Sequence, residues 1–226
     1  PIYSLAEFPQ PMISDIETLA DGSLVVAIAD RYNYQMGSNN IAPDEPDQVA
    51  PLNYPLLDVH VTGDIQLFCK TGVGTWSQES DGSCSGSSTT FSSRSTIRLR
   101  GGTGGLRTIT GYREFFDDNF DNTNSLTNTS GSHTEVSSGS LAVWPIGGSV
   151  STQKVAAGSM DPANQFNTGG VRWYSTVDGE QTQGFAFVPN ATQASSFMKA
   201  ISIGDLEILC DSAPVQIGNY VWIDTD

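Results

Sequence analysis

The residues with the most evident chemistry are acids. The run "EFFDDNFDNTNSLTNTSGS", residues 114–132, gathers Asp117, Asp118, Asn119, Asp121 and Asn124 in one polar stretch. Their side-chain oxygens are the donors that a hard cation such as calcium takes. The spacing lacks the glycine at position six and the closing glutamate of a calcium-binding loop. A surface loop built from Asx turns explains the same residues. Glu17, Glu114, Glu135 and Glu207 offer carboxylates of the type that cleave glycosides in pairs, but the separation that decides that chemistry is spatial. Each also reads as an ordinary solvent-facing side chain. His60 and His133 have no Cys, His or Asp at metal-binding spacing. The glycines of "GGTGG", residues 101–105, are followed by neither the Lys-Ser/Thr pair nor the helix of a phosphate loop. They read as a flexible loop. No G-x-S-x-G elbow is present. The expectation is that the chain is not an enzyme.

Two cysteines stand close in "CKTGVGTWSQESDGSC". A Cys69–Cys84 disulfide closing this loop of roughly 15 residues would contribute about 3 kcal/mol in the chain-entropy model. Such a bond belongs to an oxidising compartment, so the expected location is extracellular or at the cell surface. Cys210 is left over. Asn128 and Asn190 head glycosylation sequons. Trp76, Trp144, Trp173 and Trp222, with Tyr32, Tyr34 and Tyr112, would stack on sugar rings if exposed. Aromatics are also what strands and cores are made of.

The elements that must position these groups are short strands. The 226 residues suffice for one domain with a full core. Runs with period-two alternation, bounded by Gly, Asn, Asp and Ser, dominate, which marks an all-β chain. The clearest hairpin joins "MISDIETLA" to "SLVVAIADRY" across Asp21-Gly22. Residues 33–55 read as a long surface loop, and residues 193–203, "QASSFMKAISI", are the best helical candidate. The net charge of −15, from 25 acidic and 10 basic residues, argues against nucleic-acid binding and against docking on anionic lipid. No apolar run approaches the roughly 18 residues of a membrane helix. The chain opens on Pro1 without a signal peptide, as a processed protein or an excised fragment would.

One step recurs: Ser14-Asp15-Ile16-Glu17, Gly63-Asp64-Ile65-Gln66 and Gly204-Asp205-Leu206-Glu207. Asp64 follows Asp15 by 49 residues, and Asp205 follows 141 later, close to three times 47. A repeat near 48 residues built of short strands marks a β-propeller, each unit one blade. In each blade the small residue would relieve crowding, and the Asp would bond backbone groups of the next blade. A β-sandwich is the alternative architecture.

The closing residues "PVQIGNYVWIDTD", 214–226, resemble the start of a B-type repeat domain of bacterial serine-aspartate repeat surface proteins. Gly218, Asn219, Val221, Trp222, Asp224 and Asp226 match the family's "IGNxVWxDxD". The resemblance implies the first strand of an immunoglobulin-like sandwich, with Asp224 and Asp226 as ligands of an incomplete calcium site. Residues 1–213 resemble the propeller-like region that precedes such domains in large secreted proteins. The marks are "SDIETLADGSLVVAIADR", "GDIQLFCKTGVGTWSQESDGSC", "SMDPANQFNTGGVRWYSTVDGE" and "GDLEILCDSAPVQIGN". The expected function is therefore a non-enzymatic structural or adhesive module of a surface protein or extracellular fibre. Its partners would be copies of itself or neighbouring domains, with residues 215–226 able to add as a strand to a neighbouring sheet. A carbohydrate-binding or glycoside-cleaving propeller is the alternative, with glycans as partners.

Overall fold

In the first hairpin, strands β1 (Pro11–Thr18) and β2 (Leu24–Asp30) pair antiparallel. Asp21 accepts the Ser23 N–H at 2.8 Å and the Ser23 hydroxyl at 2.9 Å, which fixes the turn. Strand β3 (Gly63–Gly72) pairs with β2, and β4 (Thr75–Gln78) with β3, to complete a four-stranded antiparallel sheet. The second sheet is a simple meander of β5 (Ser137–Trp144), β6 (Lys154–Met160), β7 (Gly169–Ser175) and β8 (Gln181–Val188). The chain is thus all-β, built on two four-stranded antiparallel sheets. These statements come from a computed structural model that describes residues 3–5, 10–36, 38–40, 56–58, 63–79, 84, 86–89, 97–101, 105–109, 114–118, 120–121, 132–133, 136–163, 168–188 and 204–209.

Period-two alternation sets the faces. Val25 and Ala27 of β2 and Ile65, Leu67 and Cys69 of β3 turn toward Leu141 and Val143 of β5, Val155 and Ala157 of β6, and Tyr174 of β7. Phe115 and Phe116 fill the same core, with Phe116 edge-on to both Phe115 and Tyr174. The opposite face of the second sheet is covered as well. There Ala142, Ala156 and Val171 carry Leu206 and Ile208 of the extended residues 204–209. The second sheet therefore lies between two layers. Cys69 and Cys84 stand in disulfide-bonding position, with Cα atoms 5.7 Å apart. That link ties β3, an inner strand of the first sheet, to residue 84.

Three features differ from the sequence reading. The stretch read as a loop from residue 33 begins inside a short helix, α1 (Arg31–Met36), so residues 33–36 are helical. Asp30 caps it by accepting the Tyr32 N–H at 3.0 Å, and the same oxygen accepts the Gln10 N–H at 2.9 Å, just before β1. Gly101 and Gly105, read as part of a flexible loop, are strand residues, because Ile97–Gly101 and Gly105–Ile109 pair antiparallel. Finally, β1 and β3 carry Asp15 and Asp64 but lie in one sheet, so the 49-residue interval does not measure one blade. Two copies of the repeated step thus lie in strands of one sheet, and the third, residues 204–207, lies outside any strand. The other pairings are small: Leu56–Asp58 between Tyr3–Leu5 and Ser38–Asn40, and Phe120–Asp121 with Ser132–His133.

Candidate functional site

The three small-Asp steps do different work in similar local geometry. Asp15 accepts the N–H of its neighbour Ile16 at 2.8 Å, and Asp205 that of Leu206 at 2.9 Å. Asp15 has a second bond that reaches the other sheet. Its Oδ2 accepts the N–H of the buried Leu141 at 2.7 Å. This satisfies a β5 backbone donor that burial would otherwise leave costly. Contact makes Gly63 small, since a Cβ there would lie 2.1 Å from the Ile28 carbonyl oxygen, whereas at Gly204 a Cβ would meet nothing within 4 Å and the φ of +95° favours glycine. Ser14 is crowded by its neighbour across the sheets. A Cβ on Gly139 (φ +87°) would lie 2.5 Å from the Ser14 hydroxyl and 2.9 Å from the Ala29 Cβ. Ser14, Asp15, Gly204 and Asp205 meet Ser138 and Ser140 around a cleft of about 360 Å³. The Tyr34 hydroxyl donates to the Ser138 carbonyl at its rim.

Removing Asp15 therefore separates the two roles. Asp15→Ala orphans a buried N–H and is expected to cost about 2 kcal/mol, whereas Asp205→Ala, at an exposed position, is expected to cost less than about 0.5 kcal/mol. Urea midpoints of the two variants check the contrast. Equal losses would show that the Leu141 bond contributes nothing.

A second cluster forms where residues 114–118 lie against the first sheet. Carboxylate oxygens of Asp64, Glu114 and Asp118 all lie within 4.8 Å of one another. Glu79 joins them at the end of β4. Its Oε1 accepts the Leu67 N–H at 2.9 Å, and its backbone N–H donates to the Leu67 carbonyl at 2.8 Å. Burial pushes the Glu79 carboxyl up to about 7, with the Asp64 charge adding to the rise and the Leu67 and Phe115 N–H groups opposing it. Burial also raises Asp64, against the bonds from the Gln66 side chain and the Ile65 N–H. Segment 114–118 is held in place by main chain: the Asp117 N–H donates to the Gly179 carbonyl at 2.9 Å, and the Val136 N–H to the Asp118 carbonyl at 3.1 Å. The donor set is all oxygen, as calcium requires, and protons compete for the same oxygens.

Of the acids read from the sequence, Asp118 and Glu114 enter this cluster. Glu17 lies elsewhere, near Asp15, Glu207 and Asp205; burial raises its carboxyl, and those three charges add to the rise. Asp64 and Glu79 were not singled out for this role. Their only sequence signal is a charged residue at a strand end. Three tryptophans lie on the sheets. Trp76 donates its indole N–H to the Gly22 carbonyl at 2.9 Å. Trp144 and Trp173 line one groove on the second sheet. His133 sits in the short Ser132–His133 strand. His60, Glu135, Cys210, Tyr112, Trp222, the sequons Asn128 and Asn190, and Asp224 and Asp226 with the whole of residues 214–226 lie outside the described residues, as do the helical candidate at 193–203 and the boundary at residue 213.

Comparison with known proteins adds two relatives. The chain is 29% identical over 217 residues to Colossin-B of Dictyostelium discoideum, covering 96% of this chain and 5% of that protein. It is 26% identical over 230 residues to Colossin-A of the same organism, covering 100% of this chain and 2% of that protein. The chain thus corresponds to a small part of each. No family model matches, and no solved structure matches. Among the described residues, no helix is long and apolar enough to cross a membrane.

Proposed function

We propose that the chain is a non-enzymatic structural module of a long extracellular protein. Its sheets stack face to face as blades do, and its partners are neighbouring modules or copies of itself. The observation that carries this reading is the second sheet, apolar on both faces and covered on both: by the first sheet on one side and by residues 204–209 on the other. Residues 204–209 repeat the step that opens on Ser14 in β1, so the chain uses one device to lay successive layers on one another. The long relatives and the Cys69–Cys84 pairing support a secreted setting.

Labelling intact, unpermeabilised cells that make the protein with an antibody to this chain tests the location. Surface or matrix labelling is the expected result. Signal confined to permeabilised cells, or turnover of any substrate in a broad glycoside screen, would overturn the reading.

A further inference from the structure

The covered face of the second sheet carries one region that residues 204–209 border but do not fill. Cross-strand register places its side chains. Trp144 stands opposite Lys154, and one row further along, Trp173 stands between Ala156 and Gln183. The two tryptophans are thus two strands and one row apart, roughly 12 Å between Cα atoms at ordinary sheet spacing. The alanines Ala142 and Ala156 complete the second row and keep the floor low. Glu207 and Ile208 form a wall, and the resulting groove holds about 510 Å³. That volume falls in the range of small-molecule sites. Trp144 is 44% exposed although it is a large apolar ring on a strand whose preceding seven residues are buried.

We infer that this groove binds a neutral oligosaccharide of β-1,4-linked pyranoses, through stacking on Trp144 and Trp173 and hydrogen bonds to Lys154, Gln183 and Glu207. Sugars of this configuration present flat C–H faces, which indole rings stack against, and equatorial hydroxyls around the rim. The three polar side chains match those hydroxyls in kind: an ammonium that donates, a carboxylate that accepts and an amide that does both. An acidic polysaccharide is disfavoured by the net charge of −15 and by Glu207 in the wall. A proline-rich peptide is disfavoured because it would set ring methylenes against Lys154 and Glu207, stripping both of water without return. This site goes beyond the structural role and does not depend on it.

The test is a titration of the ¹⁵N-labelled full chain with cellohexaose and, separately, chitohexaose to about 5 mM, following the indole N–H signals. Saturable shifts at Trp144 and Trp173, with Trp76 unmoved, are expected from at least one of the two sugars. Trp144→Ala should weaken binding about tenfold, and Gln183→Ala about threefold, with unchanged melting temperatures. Both positions are exposed, so Gln183→Ala keeps the test open should Trp144→Ala fail to fold. The inference is overturned if neither sugar moves these signals, if both variants bind as the parent does, or if only oligogalacturonate or a polyproline peptide binds.

Discussion

Gly63→Ala is expected to cost at least about 3 kcal/mol, a large part of the 5–15 kcal/mol that holds a typical domain together. A Cβ at this position would lie 2.1 Å from the Ile28 carbonyl oxygen and 2.9 Å from the Ser137 carbonyl oxygen. Both atoms are main chain, so no rotamer change makes room. Ile28 lies on β2 of the first sheet and Ser137 on β5 of the second. Gly63 also bridges to Val136 just before β5. The added methyl must therefore push β3 from its partner in one sheet or part the two sheets, and either movement opens the core around Ile65 and Leu67. Val73→Ala, at a turn position 99% exposed, serves as the control and should move stability by less than about 0.5 kcal/mol. Chemical denaturation of both variants checks this. Similar midpoints would show that the close approach at Gly63 relaxes freely.

Gly63 also shows what the sequence could and could not disclose. That a small residue precedes Asp15, Asp64 and Asp205 is visible by inspection, but crowding against another strand is its reason at Gly63 and not at Gly204, where a Cβ would meet nothing and a φ of +95° favours glycine instead. The apolar run "LVVAIAD" and the Asp21-Gly22 turn suffice for the first hairpin, because hairpin register is local. The interval between marks does not measure a unit, because β1 and β3 both pair with β2 in one sheet, and the number of residues between them has no bearing on which strands pair. The acid cluster was legible only in part. Asp118 and Glu114 stand in one polar run, but Asp64 lies 54 residues before Asp118 and is brought to it, with Glu79 beside it, through pairing that no local pattern encodes. The groove likewise needed the register of three strands to bring Trp144 beside Trp173. As residues on a list of aromatics, they were indistinguishable from Trp76.

Stability is expected to fall as the pH rises from about 4.5 to about 7, with Glu79 the main cause. In the unfolded chain this carboxyl titrates near 4.5, whereas burial raises it to about 7 in the folded state. The folded state then holds its proton more tightly. The contribution is fully present below the unfolded value and is lost as pH rises through the folded one. The difference converts to at most about 3 kcal/mol. Asp64, raised by burial, acts in the same direction. The physical origin is a largely buried carboxyl whose Oε1 accepts the Leu67 N–H while its Oε2 has no partner among the described residues. Ionised beside Asp64, its charge is only partly offset by the Leu67 and Phe115 N–H groups. Glu79→Gln keeps an oxygen for the Leu67 N–H and removes the charge. It should flatten the urea-midpoint profile between pH 5 and pH 8, measured with a chelator present, and should leave the variant more stable than the parent at the alkaline end. Parallel profiles for parent and variant would mean that Glu79 titrates as an ordinary solvated acid and that the cluster stores no charge strain. A parent profile that climbs with pH would mean that the carboxylates are stabilised as ions, by donors this reading does not include.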